Sequence, residues 1–319
     1  MTRPLVSVVI ETVTAREDGT AVPPADCIGG ALDGLGRQTW PQQLIEPIVV
    51  IDGDMAEADA AEIRRRYPSV KVVSSAESNY LAAKNAGAAA AAGDIVALLD
   101  ADCVPEDDWL ETLLAPFERD ESVAAVGGRT RYGGGSWAAR TFSVPDFAYV
   151  LAGEDGVAAG FVINNVAFRR EVILAHPFEA RIRRDGGCYL LFHQLRARGL
   201  RVLIEPRAIV EHAPDVGGLG FARKHFKRGY DGVAVYRLDA QGVLRGTRLL
   251  LRLGPAALVP ITGRRIVDDW LRLVRHRRQI GIPRLAVPYF GAVAVVTRSV
   301  ELAGGLAAFL SPELGNPKS

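Results

Sequence analysis

The chain has 319 residues and nearly balanced charge, 38 Lys and Arg against 37 Asp and Glu, so as a whole it is no polyelectrolyte binder. At 49% apolar it can bury one large core plus an appendage. Its three cysteines, Cys27, Cys103 and Cys188, form no CxxC, which excludes a cysteine-rich zinc site, argues against a disulfide framework and suits a reducing compartment.

The first third reads as strands alternating with helices. Val6–Ile10 is a strand, apolar on both faces and too short for the core of a signal peptide. Ile28–Gln38 suits a helix, Pro47–Ile51 a second apolar strand, Ala56–Arg66 a helix and Val70–Val73 a short strand. Tyr80–Ala92 is an alanine-rich helix stopped by Gly93, with Gly87 allowing close approach to a sheet, and Ile95–Leu99 is a third apolar strand. Strands of this kind, separated by helices, imply an α/β fold with a mostly parallel sheet covered on both faces. Trp109–Phe117 follows as a helix and Val123–Gly127 as a strand, then a Gly-rich loop at Gly133-Gly-Gly135. A helix over Tyr189–Arg198 and a strand over Arg201–Ile204 bring the chain to Pro214, where the first domain, residues 1–215, is expected to end.

Residues 216–319 read as a helical, amphipathic region. Between Phe221 and Arg284 stand fifteen Lys and Arg against four Asp, a basic block suited to anionic lipid or a phosphorylated substrate. The longest uncharged runs, Leu285–Thr297 and Leu302–Pro312, each fall short of the roughly 20 residues that span a bilayer. Arg298 and Glu301 interrupt them. The expectation is a segment lying in the membrane interface, anchored by Trp270, Phe290 and Phe309.

In α/β sheets, ligands collect beyond the carboxyl ends of the strands. Two strands here end in carboxylates, one at Asp52 and the other at Asp100 and Asp102. If the chain stays extended, a spacing of two puts Asp100 and Asp102 on one side, where like charges need a cation or strong donors between them. Magnesium or manganese would supply that charge and take phosphate oxygens as well. Alone, Asp-x-Asp is a common turn sequence; its surroundings add the weight.

Those surroundings include Val6-Ser-Val-Val-Ile10, Gln38-Thr-Trp-Pro41, Ile48-Val-Val-Ile-Asp52, Ala83-Lys-Asn-Ala-Gly87 and Leu99-Asp-Ala-Asp-Cys-Val-Pro105. Asn165-Val-Ala-Phe-Arg169, Leu195-Arg-Ala-Arg-Gly199 and Pro206-Arg-Ala-Ile-Val-Glu-His212 follow in order. In these segments the chain resembles a family 2 glycosyltransferase of the GT-A fold, over about residues 5–215. The resemblance implies that Asp52 binds the nucleotide base, that Lys84 faces the nucleotide, and that Asp100 touches ribose or metal. It also implies that Asp102 binds the metal directly, with His212 on the metal side, and that Trp109, Asn164 and Asn165 line the acceptor region. The implied partners are a nucleotide-sugar donor, Mn2+ or Mg2+, and a glycan or lipid-linked acceptor. The implied reaction is inverting transfer, at the cytoplasmic inner face of the cell membrane given the C-terminal region.

One departure stands out. The family supplies its base from a Glu-Asp pair opening the helix that ends at Gly199, and here that pair falls on Gly187-Cys188. Asp185, one turn upstream, becomes the candidate base, with Arg169, Arg181, Arg183 and Arg184 nearby as anion contacts. The missing pair also admits a catalytically degenerate binding or scaffold module. A dinucleotide oxidoreductase would want GxGxxG after an early strand, and a nucleic-acid binder a recognisable module; the sequence has neither.

Overall fold

All six residues of β1 (Val6–Glu11) are buried, as they must be when helices cover both faces of a sheet. The computed structural model describes residues 3–13, 24–51, 57–77, 79–132, 160–212 and 218–310. Asp52, the loop at Gly133 and the boundary at Pro214 fall outside these residues. After β1 come α1 (Pro24–Cys27), α2 (Gly29–Gly36), β2 (Ile45–Ile51), α3 (Glu57–Arg66), β3 (Lys71–Ser74), α4 (Tyr80–Ala90) and β4 (Ile95–Asp100). Parallel pairing joins β3 to β2, β2 to β1 and β1 to β4.

Beyond β4 the sheet turns mixed. β5 (Cys103–Pro105), α5 (Trp109–Arg119), β6 (Val123–Tyr132), β7 (Asn165–Arg169), α6 (Arg170–Ala175), α7 (Gly187–Ala197) and β8 (Arg201–His212) complete it. The strand order is β3-β2-β1-β4-β7-β6-β8-β5. β7 runs antiparallel to both β4 and β6, and β8 parallel to β6. β5 pairs antiparallel with β8, placing Cys103 opposite His212. β6 and β8 outrun the segments legible in the sequence; their register slips between Gly127 and Arg129, opposite the stretch of β8 that holds Pro206.

Side chains alternate between the two faces of the sheet. Val9, Val50 and Leu98 enter one core with Leu81 of α4, while Val8, Ile10, Val49 and Leu99 enter the other with Trp40 and Trp109. A methyl at Gly87 would collide with Val9, so α4 lies as close to the sheet as the sequence suggested.

The remaining helices are α8 (Gly218–Leu238), α9 (Arg245–Leu253), α10 (Leu258–Ile280) and α11 (Val287–Leu310). The two uncharged runs, read separately as too short, join in α11. The segment Arg284–Leu310 is long and apolar enough to cross a membrane, with mean hydropathy 1.5 and 39% of its most apolar window buried. Its charges point inward. Arg298 binds Asp269 of α10 and Glu301 at 2.8 Å each, and Glu301 also takes Arg265 at 2.7 Å and His225 Nδ1 at 2.8 Å. Small residues let the backbones approach: a Cβ at Gly229 would strike the Glu301 carbonyl, and one at Gly304 the Phe226 carbonyl. Phe290, expected as a membrane anchor, is buried against Leu273 and Ile282. Leu251, Leu253, Val267, Leu271, Val274 and Val296 are among the exposed apolar residues instead.

Candidate active site

The β5–β8 pairing builds the centre of the site. Because Cys103 faces His212 across the ladder, the preceding Asp102 is brought to the imidazole, with Oδ2 3.2 Å from His212 Nε2. The ligand atoms of Asp102, Cys103 and His212 lie within 4.8 Å of one another. Burial opposes the Asp102 charge, but His212, Arg184 and Lys224 hold its carboxyl well below the usual carboxylate range. Burial, with the charges of Asp102 and Asp100, pushes the Cys103 thiol well above its ordinary value, so it stays protonated. A carboxylate oxygen and an imidazole nitrogen are what remain to offer a divalent cation.

Asp100 does not join this group. Its carboxylate is 2.8 Å from Lys84 Nζ and accepts the Tyr80 hydroxyl at 2.8 and 2.9 Å. β4 ends at Asp100 and residues 101–102 turn, so the two-residue alternation of an extended chain does not carry across the pair. Lys84, expected to face the nucleotide, is fully buried beneath Asp100 and also donates to the Leu99 carbonyl at 2.6 Å. A side chain in that position acts through Asp100 by neutralising it. Burial and the neighbouring Asp100 and Glu11 push the Tyr80 phenol well above its ordinary value, which keeps it a hydrogen-bond donor.

The loop before α7 forms the second wall. Gly186 has φ of 93°, a conformation that favours glycine, and sits against Val235 of α8. A Cβ at Gly187 would press into Leu81 at 2.5 Å, and Cys188 packs on the core. A larger side chain at Gly187 would have to displace the Leu81 methyl. Asp185 instead turns to α8: Arg228 Nε donates to its Oδ1 at 3.2 Å, and its own backbone N–H donates to Asp231 Oδ2 at 3.2 Å. Arg184 lies 5.5 Å from the Tyr80 ring centroid, on the side that influences Asp102.

Other expected contacts are placed elsewhere. Trp109 and Asn165 are fully buried and bond to each other at 2.8 Å, while Asn164 is buried against Thr130 and Cys103. Asn164 thereby links β5 to β6, and Asn165 links α5 to the Ala208 carbonyl of β8. Arg169 donates to the Val123 carbonyl and Arg181 pairs with Glu179 at the surface, so among these two neither faces Asp102. Lys224, Arg228 and Asp231, which sequence reasoning did not single out, reach the site from α8 at spacings of four and three. Their one signal was that helical periodicity within the basic block.

With this geometry in place, comparison with known proteins is informative. Residues 20–175 match the family model for glycosyl transferase family 2. These residues form a family 2 glycosyltransferase domain. The domain is similar to the glucosyl-dolichyl phosphate glucuronosyltransferase of Haloferax volcanii, 27% identical over 53% of this chain and 59% of that protein. It is also similar to the glycosyltransferase AglE of the same organism, 29% identical over 41% of each. The chain thus spans about half the length of these curated relatives. Its fold matches a mannosyltransferase from Pyrobaculum calidifontis solved with GDP-Man and Mn2+, with a TM-score of 0.62 and 17% identity over 97% of this chain and 88% of that one. That likeness confirms the GT-A architecture.

Proposed function

We propose that this chain transfers a sugar from a nucleoside-diphosphate donor to an acceptor hydroxyl, with inversion, using a divalent cation held by Asp102 and His212. The observation that carries the reading is the 3.2 Å approach of these two side chains at the carboxyl end of the sheet, within a family 2 domain. Mn2+ or Mg2+ bound there would neutralise the donor diphosphate and make it a better leaving group. Asp100, fixed by Lys84 and Tyr80, would face the ribose side, and Asp52 the base. Arg184 and Lys224 add positive charge toward the diphosphate. Proton removal would centre on the acidic group where the Asp185 loop meets α8.

The acceptor class follows from the C-terminal helices. Exposed Leu251, Leu253, Val267, Leu271 and Val274 beside the arginines of α9 and α10 suit an interface rich in anionic lipid. We read α11 as lying on the membrane rather than crossing it, because Arg298 and Glu301 are committed to α10 and α8. A glycan or lipid-linked acceptor at the cytoplasmic face fits that arrangement. The dolichyl phosphate substrate in the name of one relative is of the same chemistry.

The test is a thermal-shift series with UDP and GDP, with and without Mn2+, on the wild type, Asp102→Ala and His212→Ala. A Mn2+-dependent shift for one nucleotide that both variants lose is expected. An identical shift in all three proteins would remove the metal assignment. Binding in the wild type with no turnover of any UDP- or GDP-sugar would favour a non-catalytic binding module, the reading that Gly187-Cys188 supports.

A further inference from the structure

α7 opens on Gly187 and Cys188 with no acidic residue in its first turn, yet two acidic residues meet just before it. One member, Asp185, comes from the loop before α7 and the other, Asp231, from α8, 46 residues later. Asp231 Oδ2 accepts the Asp185 backbone N–H at 3.2 Å, and Arg228, one turn earlier on α8, binds the Asp185 carboxylate at 3.2 Å. Asp231 is 7% exposed. The charges that bear on it are those of Asp185 and Arg183 from the loop; the backbone of Arg184 also donates to it, and Arg228 of its own helix reaches the neighbouring Asp185.

Resting on the transferase reading above, we propose that Asp231 takes the proton of the attacking hydroxyl, with Asp185 as its acidic neighbour. Together they rebuild across two segments the acidic pair that the sequence lacks at Gly187-Cys188. The step balances simply. The acceptor O–H proton passes to an Asp231 carboxylate oxygen, and the acceptor oxygen forms the new bond to the anomeric carbon. The bond from that carbon to the diphosphate oxygen breaks, its electron pair leaving with the nucleoside diphosphate. Asp231 then returns its proton to solvent.

Three observations support the division of labour. Arg228 Nε already donates to the Asp185 carboxylate at 3.2 Å, so that carboxylate is committed to a partner on α8. Among the described residues Asp231 has no such ion pair; burial and the charge of Asp185 push its carboxyl up to about 7, where a base works at neutral pH. Finally, Lys224 on the same face of α8 bears on Asp102, so one helix spans from the metal pair to the proposed base.

A structural tether is the competing role, and the Asn variant separates the two. Asp231→Asn keeps an oxygen that accepts the Asp185 N–H while losing the proton acceptor. The full-length protein is assayed for release of UDP or GDP from UDP- and GDP-hexoses with Mn2+ between pH 5 and 9, beside Asp231→Asn, Asp231→Glu and Asp185→Asn. We expect kcat of Asp231→Asn to fall about 10²- to 10⁴-fold with little change in donor KM, and Asp231→Glu to recover part of it. Asp185→Asn should lose less of kcat than Asp231→Asn and move its acid limb to lower pH, because the like charge is gone. Wild-type rate and pH profile in Asp231→Asn would overturn the proposal while leaving the transferase reading intact. An unmoved acid limb in Asp185→Asn would do the same, and serves if Asp231→Asn does not fold. A wild type with neither turnover nor a Mn2+-dependent nucleotide shift would overturn the transferase reading and this proposal with it.

Discussion

Lys84 Nζ lies 2.8 Å from Asp100 Oδ1, with the two side chains 0% and 7% exposed. Removing either charge from such a pair strands the other in the protein interior, a loss far larger than the net value of the pair itself. Lys84→Met should therefore cost about 3–5 kcal/mol in urea unfolding. The double variant Lys84→Met/Asp100→Asn should recover much of that. A single-variant loss below about 1 kcal/mol would mean that water reaches Asp100.

Asp231 predicts a pH dependence of stability. Its carboxyl is raised from 3.8 to about 7, by burial first and then by Asp185, so the folded protein holds this proton more tightly than the unfolded chain. The contribution is fully present below the unfolded value and lost as pH rises through about 7. Relative to Asp231→Asn, the wild type should lose on the order of 2–4 kcal/mol between pH 4 and 8. Parallel curves for the two proteins would contradict the placement of Asp231.

The sequence made the parallel half of the sheet legible because β1, β2 and β4 are apolar on both faces, a pattern with few other readings. β8 was read only to Ile204, because Glu205, Pro206 and Arg207 break the apolar pattern at its register slip. The meeting of Asp102 and His212 was anticipated from family likeness, yet its cause is the short β5–β8 ladder, which no local pattern encodes. Asp231 stayed hidden for a similar reason: its partner is 46 residues away, and an isolated aspartate in a basic helix looks like any solvated residue. Arg298 and Glu301 looked like interruptions of an apolar run, since a one-dimensional run does not tell which face of a helix meets its neighbours.

The crossing of α8 and α11 is tight enough to reject a single methyl. Gly304→Ala would drive a Cβ into the Phe226 carbonyl, and backbone cannot yield as a flexible side chain can. Overpacking of this kind costs about 1–3 kcal/mol. The expected result is a lower melting temperature and faster proteolysis within α8–α11. At Gly232, where an added Cβ meets nothing within 4 Å, alanine should be tolerated.

Membrane attachment through exposed leucines can be weakened without touching the core. Leu251 and Leu271 are 78% and 63% exposed, so Leu251→Glu/Leu271→Glu should leave stability nearly unchanged. Sedimentation with vesicles containing anionic lipid should fall sharply in this variant. In the wild type it should weaken between 0.1 and 1 M salt, since the Debye length drops from about 10 to 3 Å. Equal binding by both proteins would assign the attachment to another surface.

α8 faces two ways at once. Lys224, Arg228 and Asp231 look toward Asp102 and Asp185, while His225 and Gly229 are locked onto Glu301 of the apolar helix. A chain cut after residue 215 would keep the sheet and the paired Asp102 and His212, but would take a wall of lysine, arginine and aspartate away from the chemistry. The contacts of α8 with α11 and with the Asp185 loop join the C-terminal helices to that loop. Where the protein rests and how its catalytic groups are spaced are in this way one mechanical question.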